Sequence, residues 1–480
     1  MSKTFYTKVD IEKLAANGVT VLQTHDDVVL TAEAYETAQK LGLHLAYVPP
    51  VPEAPRRPGQ IPNLQSRARQ MATNWALDKA PPEVNVHRLR HYRLNRVRQE
   101  MARLNCGACV LVDPVNIRYA TDTRNMQVFS ARNPARYLFL PLEGPVILFE
   151  FERCEHLPAG IDTVDEVRIA TTTSYAAAAD RLGEKTQAWA DEIAGLMYQY
   201  GGGSRRLGLE RFNYQAGLAL AQKGFDIIDA QRAVERARAI KSTDEIECIK
   251  WSLRVVEHGV ARMRESLRPG MRENQLWAIL HQAVIENEGD YIETRLLSSG
   301  PHTNPWMQEA GPRIIEPSDL VGLDTDVVGP FGYYADFSRT FFCGAGRPGD
   351  AQKKLYNLAY EQIHHNLELL KPGVTFREIA EKAWKIPDPY LPNRYFVLAH
   401  GVGMTGEYPY ILHLQDFDNG YDGLLEPGMT LCLESYIGQY SAAGSNDGSE
   451  GVKLEQQVHI TETGYELLSL FPFEDDLLGA

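Results

Sequence analysis

Asp324 and Asp326 stand two residues apart in the apolar run VGLDTDVVG, and Asp336 follows in GYYADFSRTF. On a strand, side chains two apart share a face, so the first two carboxylates point the same way. The turn at Gly329-Pro330-Phe331-Gly332 then brings the chain back with the third. Three carboxylates gathered on one hairpin repel and raise each other's pKa, and a divalent cation with hard oxygen ligands removes the conflict. A solvated hairpin tip would need polar flanks, and these are apolar. Three further ionisable groups interrupt buried-looking strands: His400 at the end of YFVLAH, Glu434 at the end of LCLE, and Glu455 within VKLEQQV. Each alone reads as an ordinary core or strand-end residue. Together, five carboxylates and one imidazole suffice for two ions with one bridging carboxylate.

The elements that must position these groups fall into four segments. Residues 1–48 read as a helical hairpin: Thr7 with Asp10 forms an N-cap pair before Ile11, and a second helix opens at Thr31. Residues 49–80 begin with PPVPEAPRRPGQIPN, a Pro-rich linker. Residues 81–236 open on a basic amphipathic helix, His87–Leu104, and continue through short runs that read as strands, CVLVD, IRYAT, RYLFLPL, VILFEF, RLGLE and FDIID, with a helix near 176–200. This is an α/β pattern. Residues 237–480 start with a capping box, Ser242 and Glu245, ahead of a helical face of Ile246, Ile249, Leu253 and Val256. Two Pro-Gly turns, at Pro269-Gly270 and Pro372-Gly373, each precede a helix, which suggests a duplicated half-domain with a site between the halves. The fold class expected is therefore α+β.

Composition excludes other classes. The formal net charge of -14 argues against nucleic acid as a partner, and no apolar run is long enough to span a membrane. The polar start MSKTFYTKVD carries no secretory signal, and six scattered cysteines are no disulfide framework, so a cytoplasmic setting is expected. Cys106 and Cys109 form a lone CxxC, read as two small apolar residues entering a buried strand.

Asp, Asp, His, Glu and Glu in this order, with DFSRT, HGVG, EPGM and a final KLE, resemble the pita-bread family of methionine aminopeptidase, prolidase and creatinase. The resemblance implies a C-terminal pita-bread domain, a creatinase-type N-terminal α/β domain, and Asp326, Asp336, His400, Glu434 and Glu455 as metal ligands. Peptidases of this family carry a histidine after S-G-x-N and a second one in H-G-x-G-x-x-x-H. This chain reads SSGPHTNPWMQE and HGVGMTGEYP and lacks both.

The segments NIRYATDTRNMQ, ETRLLSSGPHTNPW, EAGPRI and LDTD are similar to the dimethylsulfoniopropionate lyases of this fold. That likeness implies β-elimination on a small zwitterionic carboxylate, Asp324 in the metal shell, Tyr395 lining the pocket, a homodimer, and two divalent ions, iron first with manganese, zinc or cobalt as alternatives. Tyr395 and Trp306 offer aromatic faces to a sulfonium. Those lyases carry a catalytic aspartate where this chain has Gly406, so neighbouring Glu407 or a metal-bound hydroxide takes the base role, or the reaction differs. A metallohydrolase of the Xaa-Pro type and a non-catalytic metal-binding homologue are the other readings. The stretch between Glu434 and Glu455 also carries a polar insertion, SAAGSNDGSEG.

Overall fold

The computed structural model describes residues 4–24, 28–47, 84–439 and 449–479. The Pro-rich linker and most of the polar insertion lie outside the described residues.

The chain divides into two compact units, residues 1–63 and 64–480. In the first, both expected helices form. Lys8–Ala16 is capped by the Thr7–Asp10 box, and Ala32–Lys40 by the Thr31 hydroxyl accepting from Ala34 N. The extension is more than a helical hairpin, however. Strand Thr4–Tyr6 pairs parallel with Val28–Leu30, and Val21–Thr24 pairs parallel with His44–Tyr47. Strands of three or four residues are too short to show an alternating pattern, and parallel pairing needs the intervening crossover that each helix supplies.

In the second unit, a six-stranded mixed sheet runs in the order Asp226–Asp229, Arg206–Leu209, Ala108–Leu111, Tyr137–Pro141, Ile147–Glu150, Glu166–Ile169. Strand alternation sorts its side chains. Val110, Phe139 and Phe149 pack with Trp189, Ile193 and Leu220 of the helices Leu182–Tyr200 and Tyr214–Gln222. Leu111, Leu138 and Leu148 join Leu94, Val97 and Ala233 of the helices Val86–Arg103 and Gln231–Ala239. The run IRYAT, expected as a strand, lies inside helix Pro114–Thr121. Its β-branched and aromatic residues suit a strand, but Asp113 accepts from Val115 N as N-cap and Pro114 fixes the first turn. Cys106 and Cys109 are buried with their sulfurs 3.9 Å apart, packed against Gly208.

The remaining elements form two similar halves. Each has a long helix, a Pro-Gly turn with left-handed glycine, a shorter helix and an antiparallel sheet. Thr243–Ser266 and Glu273–Glu286 flank Gly270, whose φ is +89°; Asp350–Leu367 and Phe376–Lys382 flank Gly373, at +83°. The first half contributes strands Leu297–Ser299, Leu320–Asp324 and Ser338–Phe342, together with the short strands Tyr291–Ile292, Val327–Val328 and Tyr334–Ala335. The second contributes Gly406–Ile411, Ala399–Val402, Thr430–Gly438, Gly451–Ile460 and Tyr465–Leu467. Arg118 packs against the turn ahead of Asp336: a Cβ on Gly332 would sit 2.3 Å from its guanidinium carbon.

Candidate metal centre

The carboxylates singled out at the centre lie in buried strands or in the short breaks beside them. Asp324 closes Leu320–Asp324 opposite Ser338. The strand breaks there, and Asp326 takes a left-handed φ of 43°, so its carboxylate joins the others through a kink rather than by regular alternation. Asp336 follows Tyr334–Ala335. Glu434 and Glu455 are direct cross-strand partners, and His400 sits opposite Cys432.

The donor atoms form two groups, each within 4.8 Å: Asp324, Asp326 and Asp336; and Asp336, His400, Cys432 and Glu455. Asp336 belongs to both, as a bridging ligand would. His400 Nε2 lies 3.2 Å from Glu434 Oε1, 3.6 Å from Asp336 Oδ2 and 4.0 Å from Glu455 Oε1. Among the described residues, Asp336 Oδ1 and Glu455 Oε1 are buried and accept no hydrogen bond. Buried acceptors without donors are costly, and oxygen-rich donors around one imidazole fit first-row divalent cations. The residues present therefore fit two ions.

Electrostatics agree. Burial and the neighbouring carboxylates push Asp336 and Glu455 well above the ordinary carboxylate range. Burial and Asp324 push Asp326 up to about 7. Asp324 is different: burial raises it, but the Lys453 ammonium and nearby hydrogen bonds hold it below its usual value.

Lys453 has no role in the sequence reading beyond its place in KLE. It is fully buried, with Nζ 2.6 Å from Glu434 Oε2, 2.7 Å from Ser338 Oγ, 3.2 Å from Glu455 Oε2 and 3.4 Å from Asp324 Oδ2. The carboxylates are thereby divided: one oxygen of Glu434 and of Glu455 faces the ammonium, and the other faces His400. Tyr395 lies alongside, its ring centroid 4.6 Å from Lys453 Nζ. Trp306 covers the same face of the Asp324 strand: a Cβ on Gly322, two residues before Asp324, would sit 3.0 Å from its ring. Among the described residues its indole N–H is buried without a partner.

Glu407, expected as the base, is held between two cations. Its Oε2 accepts from Arg238 Nε at 2.8 Å and lies in ion-pair contact with Arg238 Nη2 at 2.6 Å, and its Oε1 accepts from Lys241 at 2.5 Å, with all three groups buried. Both oxygens of this carboxylate are thus engaged by cations. Position 406, by contrast, faces the centre: a Cβ on Gly406 would lie 3.9 Å from His400 Nδ1 and from the Tyr410 hydroxyl, with no tighter contact.

A second carboxylate reaches this corner, and sequence reasoning missed it. Glu293 Oε2 accepts from Thr405 Oγ1, next to Gly406, at 3.1 Å. The Tyr334 hydroxyl lies 3.2 Å from the same oxygen and 3.0 Å from Asp326 Oδ1. A hydroxyl has one proton to donate, so two carboxylates compete for it. Burial pushes Glu293 above the usual range. Its position between a metal-side tyrosine and the Thr405-Gly406 corner leaves no signal in a linear reading of YIETR.

Comparison with known proteins gives the relations of the chain. Residues 247–462 match the model of metallopeptidase family M24, and residues 93–240 match the creatinase/prolidase N-terminal domain. The chain is 37% identical to dimethylsulfoniopropionate lyase DddP of Roseovarius nubinhibens, over 82% of this chain and 89% of that protein. It is 34% identical to the lyase of the same name from Roseobacter denitrificans, over 82% and 88%. Among solved structures, an Xaa-Pro dipeptidase from Bacillus anthracis superposes with a TM-score of 0.64 at 21% identity, covering 80% of this chain and 98% of that one. Prolidase from Pyrococcus furiosus gives 0.60 at 22% identity, covering 78% and 99%.

Proposed function

The chain belongs to metallopeptidase family M24, and from that premise we propose that it is a metal-dependent carbon–sulfur lyase. Its proposed substrate is dimethylsulfoniopropionate or a closely related small zwitterionic carboxylate. The carrying observation is the 37% identity with a lyase of that name, sustained over 89% of its length. The peptidase structures, at 21% and 22% identity, share the fold alone.

Asp324, Asp326, Asp336, His400, Glu434 and Glu455 are the residues that would hold two divalent ions. When bound, such ions fix the substrate carboxylate and stabilise the negative charge that develops beside it as the α-proton leaves. Iron is the proposed metal, in keeping with the carboxylate-rich shell. Lys453 holds the outer oxygens of Glu434 and Glu455 so that the inner ones stay aimed at the centre. Tyr395 and Trp306 present aromatic faces to the sulfonium. Glu293 takes the α-proton in place of the aspartate that Gly406 replaces. The C–H electron pair becomes the new double bond, and the C–S pair leaves with sulfur, giving acrylate and neutral dimethyl sulfide. No acid is needed for that leaving group. The same reading makes the protein a cytoplasmic homodimer. All six cysteines are free, as a reducing compartment would keep them, and among the described residues no helix is long and apolar enough to cross a membrane.

The test is headspace dimethyl sulfide from metal-loaded protein given dimethylsulfoniopropionate. Release well above a chelator-stripped control is expected. Silence from protein carrying two ions per chain would overturn the reading and turn attention to dipeptides.

A further inference from the structure

We propose a second metal site, remote in sequence and chemistry from the carboxylate centre. It is formed by His87, His91 and Asp162 on the surface of the N-terminal α/β domain, and takes a borderline transition-metal ion such as Zn2+.

His87 and His91 lie four residues apart on the Val86–Arg103 helix, so their side chains leave the same face one turn apart. Their ring centroids are 4.5 Å apart, with the planes inclined at 62°. Asp162 meets them from the segment between strands Ile147–Glu150 and Glu166–Ile169. Its Oδ2 lies 3.1 Å from His91 Nε2 and in direct contact with His87 Nδ1. One donor atom from each of the three residues falls within 4.8 Å of the others. Donors bound at about 2.0–2.1 Å around a tetrahedral ion lie roughly 3.4 Å from one another, so the side chains need only small rotations to close on a metal.

The carboxylate is oriented for one-oxygen binding. Asp162 Oδ1 faces Arg90 at 3.6 Å, while Arg90 also donates to Asp122 at 2.9 Å. Oδ2 is left to the two imidazoles. Exposed side chains hold one another weakly, because solvent screens them and ordering costs entropy. Three of them converging on one point is what a cation would reward.

The donor set differs from that of the carboxylate centre. Two imidazoles and one carboxylate favour zinc, nickel or copper, whereas a centre of carboxylates with a single imidazole favours harder ions. The His87 side chain is 74% exposed and that of His91 42%, which leaves room for water in the remaining positions. An ion here would tie the start of the Val86–Arg103 helix to the segment that leads into the Glu166–Ile169 edge strand.

The experiment is Zn2+ titration of chelator-stripped full-length protein by calorimetry, with metal counted after desalting. The H87Q/H91Q double variant should bind one Zn2+ fewer than the parent while keeping its circular dichroism spectrum. An unchanged count would overturn the site. Asp162→Asn should weaken the same equivalent about tenfold or more; unchanged affinity would remove Asp162 as a ligand and overturn the proposal. Neither outcome depends on the lyase reading, since neither measures turnover.

Discussion

Lys453 Nζ lies 2.6 Å from Glu434 Oε2, inside a protein core, while His400 Nε2 lies 3.2 Å from the other oxygen of the same carboxylate. One glutamate is thus shared between a permanent internal cation and the side of the centre where metal would sit. Lys453 answers part of the charge that the gathered carboxylates carry and leaves the rest for two ions. Replacing it by methionine removes a partner and strands Glu434, Glu455 and Asp324. Breaking a buried ion pair costs about 3–5 kcal/mol. Lys453→Met should lose stability of that order in urea titrations of chelator-stripped protein. Equal midpoints and slopes for Lys453→Met and the parent would remove the ammonium from this role.

Asp336 is the carboxylate common to both donor groups. Its removal should therefore abolish binding of both ions rather than one. Asp336→Ala is expected to retain no stoichiometric metal at the carboxylate centre, measured by elemental analysis after desalting in an H87Q/H91Q background. Two ions per chain in that variant would show that another residue bridges.

The gathering of the acidic groups is legible in the sequence because charged residues inside strands as apolar as VGLDTDVVG and LCLE have few structural reasons to be there. The repeat is legible too, since each Pro-Gly turn precedes a helix in both halves. Lys453 is not, because a lysine in an alternating strand ordinarily reads as its solvated face. Glu407 adjoins Gly406 in sequence but not in orientation. On a strand, neighbours point to opposite faces: position 406 faces His400, and Glu407 faces Arg238 and Lys241. The short parallel strands of the first 47 residues leave no pattern, because three residues cannot show a period of two.

That geometry changes what Glu407→Gln should do. As a base, Glu407 would be needed for turnover and dispensable for folding. As the partner of two buried cations, it is needed for folding. The variant should lose about 3–5 kcal/mol of stability, since Arg238 and Lys241 are left short of charge. Denaturant unfolding checks this; parental stability together with collapsed turnover would restore the base assignment.

Glu293 and Gly406 can be tested against each other. Glu293→Gln keeps the shape of the side chain but cannot accept a proton, and loss of a general base costs about 10²–10⁴-fold in rate. The Gly406 backbone has space for a side chain beside His400. Gly406→Asp in the Glu293→Gln background should recover turnover by supplying a carboxylate at the same corner, with metal content unchanged throughout. A Glu293→Gln enzyme with parental turnover would show that the proton leaves by another route.

Glu257 offers a pH test away from the centre. It is fully buried on helix Thr243–Ser266, and its Oε1 accepts from Phe471 N at 2.8 Å and from Leu470 N. Burial raises its pKa from 4.5 to about 7, although those hydrogen bonds and Arg339 pull the other way. The folded state therefore binds this proton more tightly than the unfolded chain does. Below pH 4.5 both states are protonated and the contribution is fully present. Above it the unfolded chain gives up the proton while the folded state holds it, so stability falls. The loss, about 3 kcal/mol, is complete once pH has risen through about 7. A glutamine at this position would keep an acceptor for both N–H groups and remove the ionisation. Relative to the parent, Glu257→Gln should gain about 3 kcal/mol between roughly pH 4.5 and pH 8 in denaturant unfolding. Parallel pH profiles for the two proteins would mean that Glu257 titrates alike in both states, with water or local opening relieving its burial.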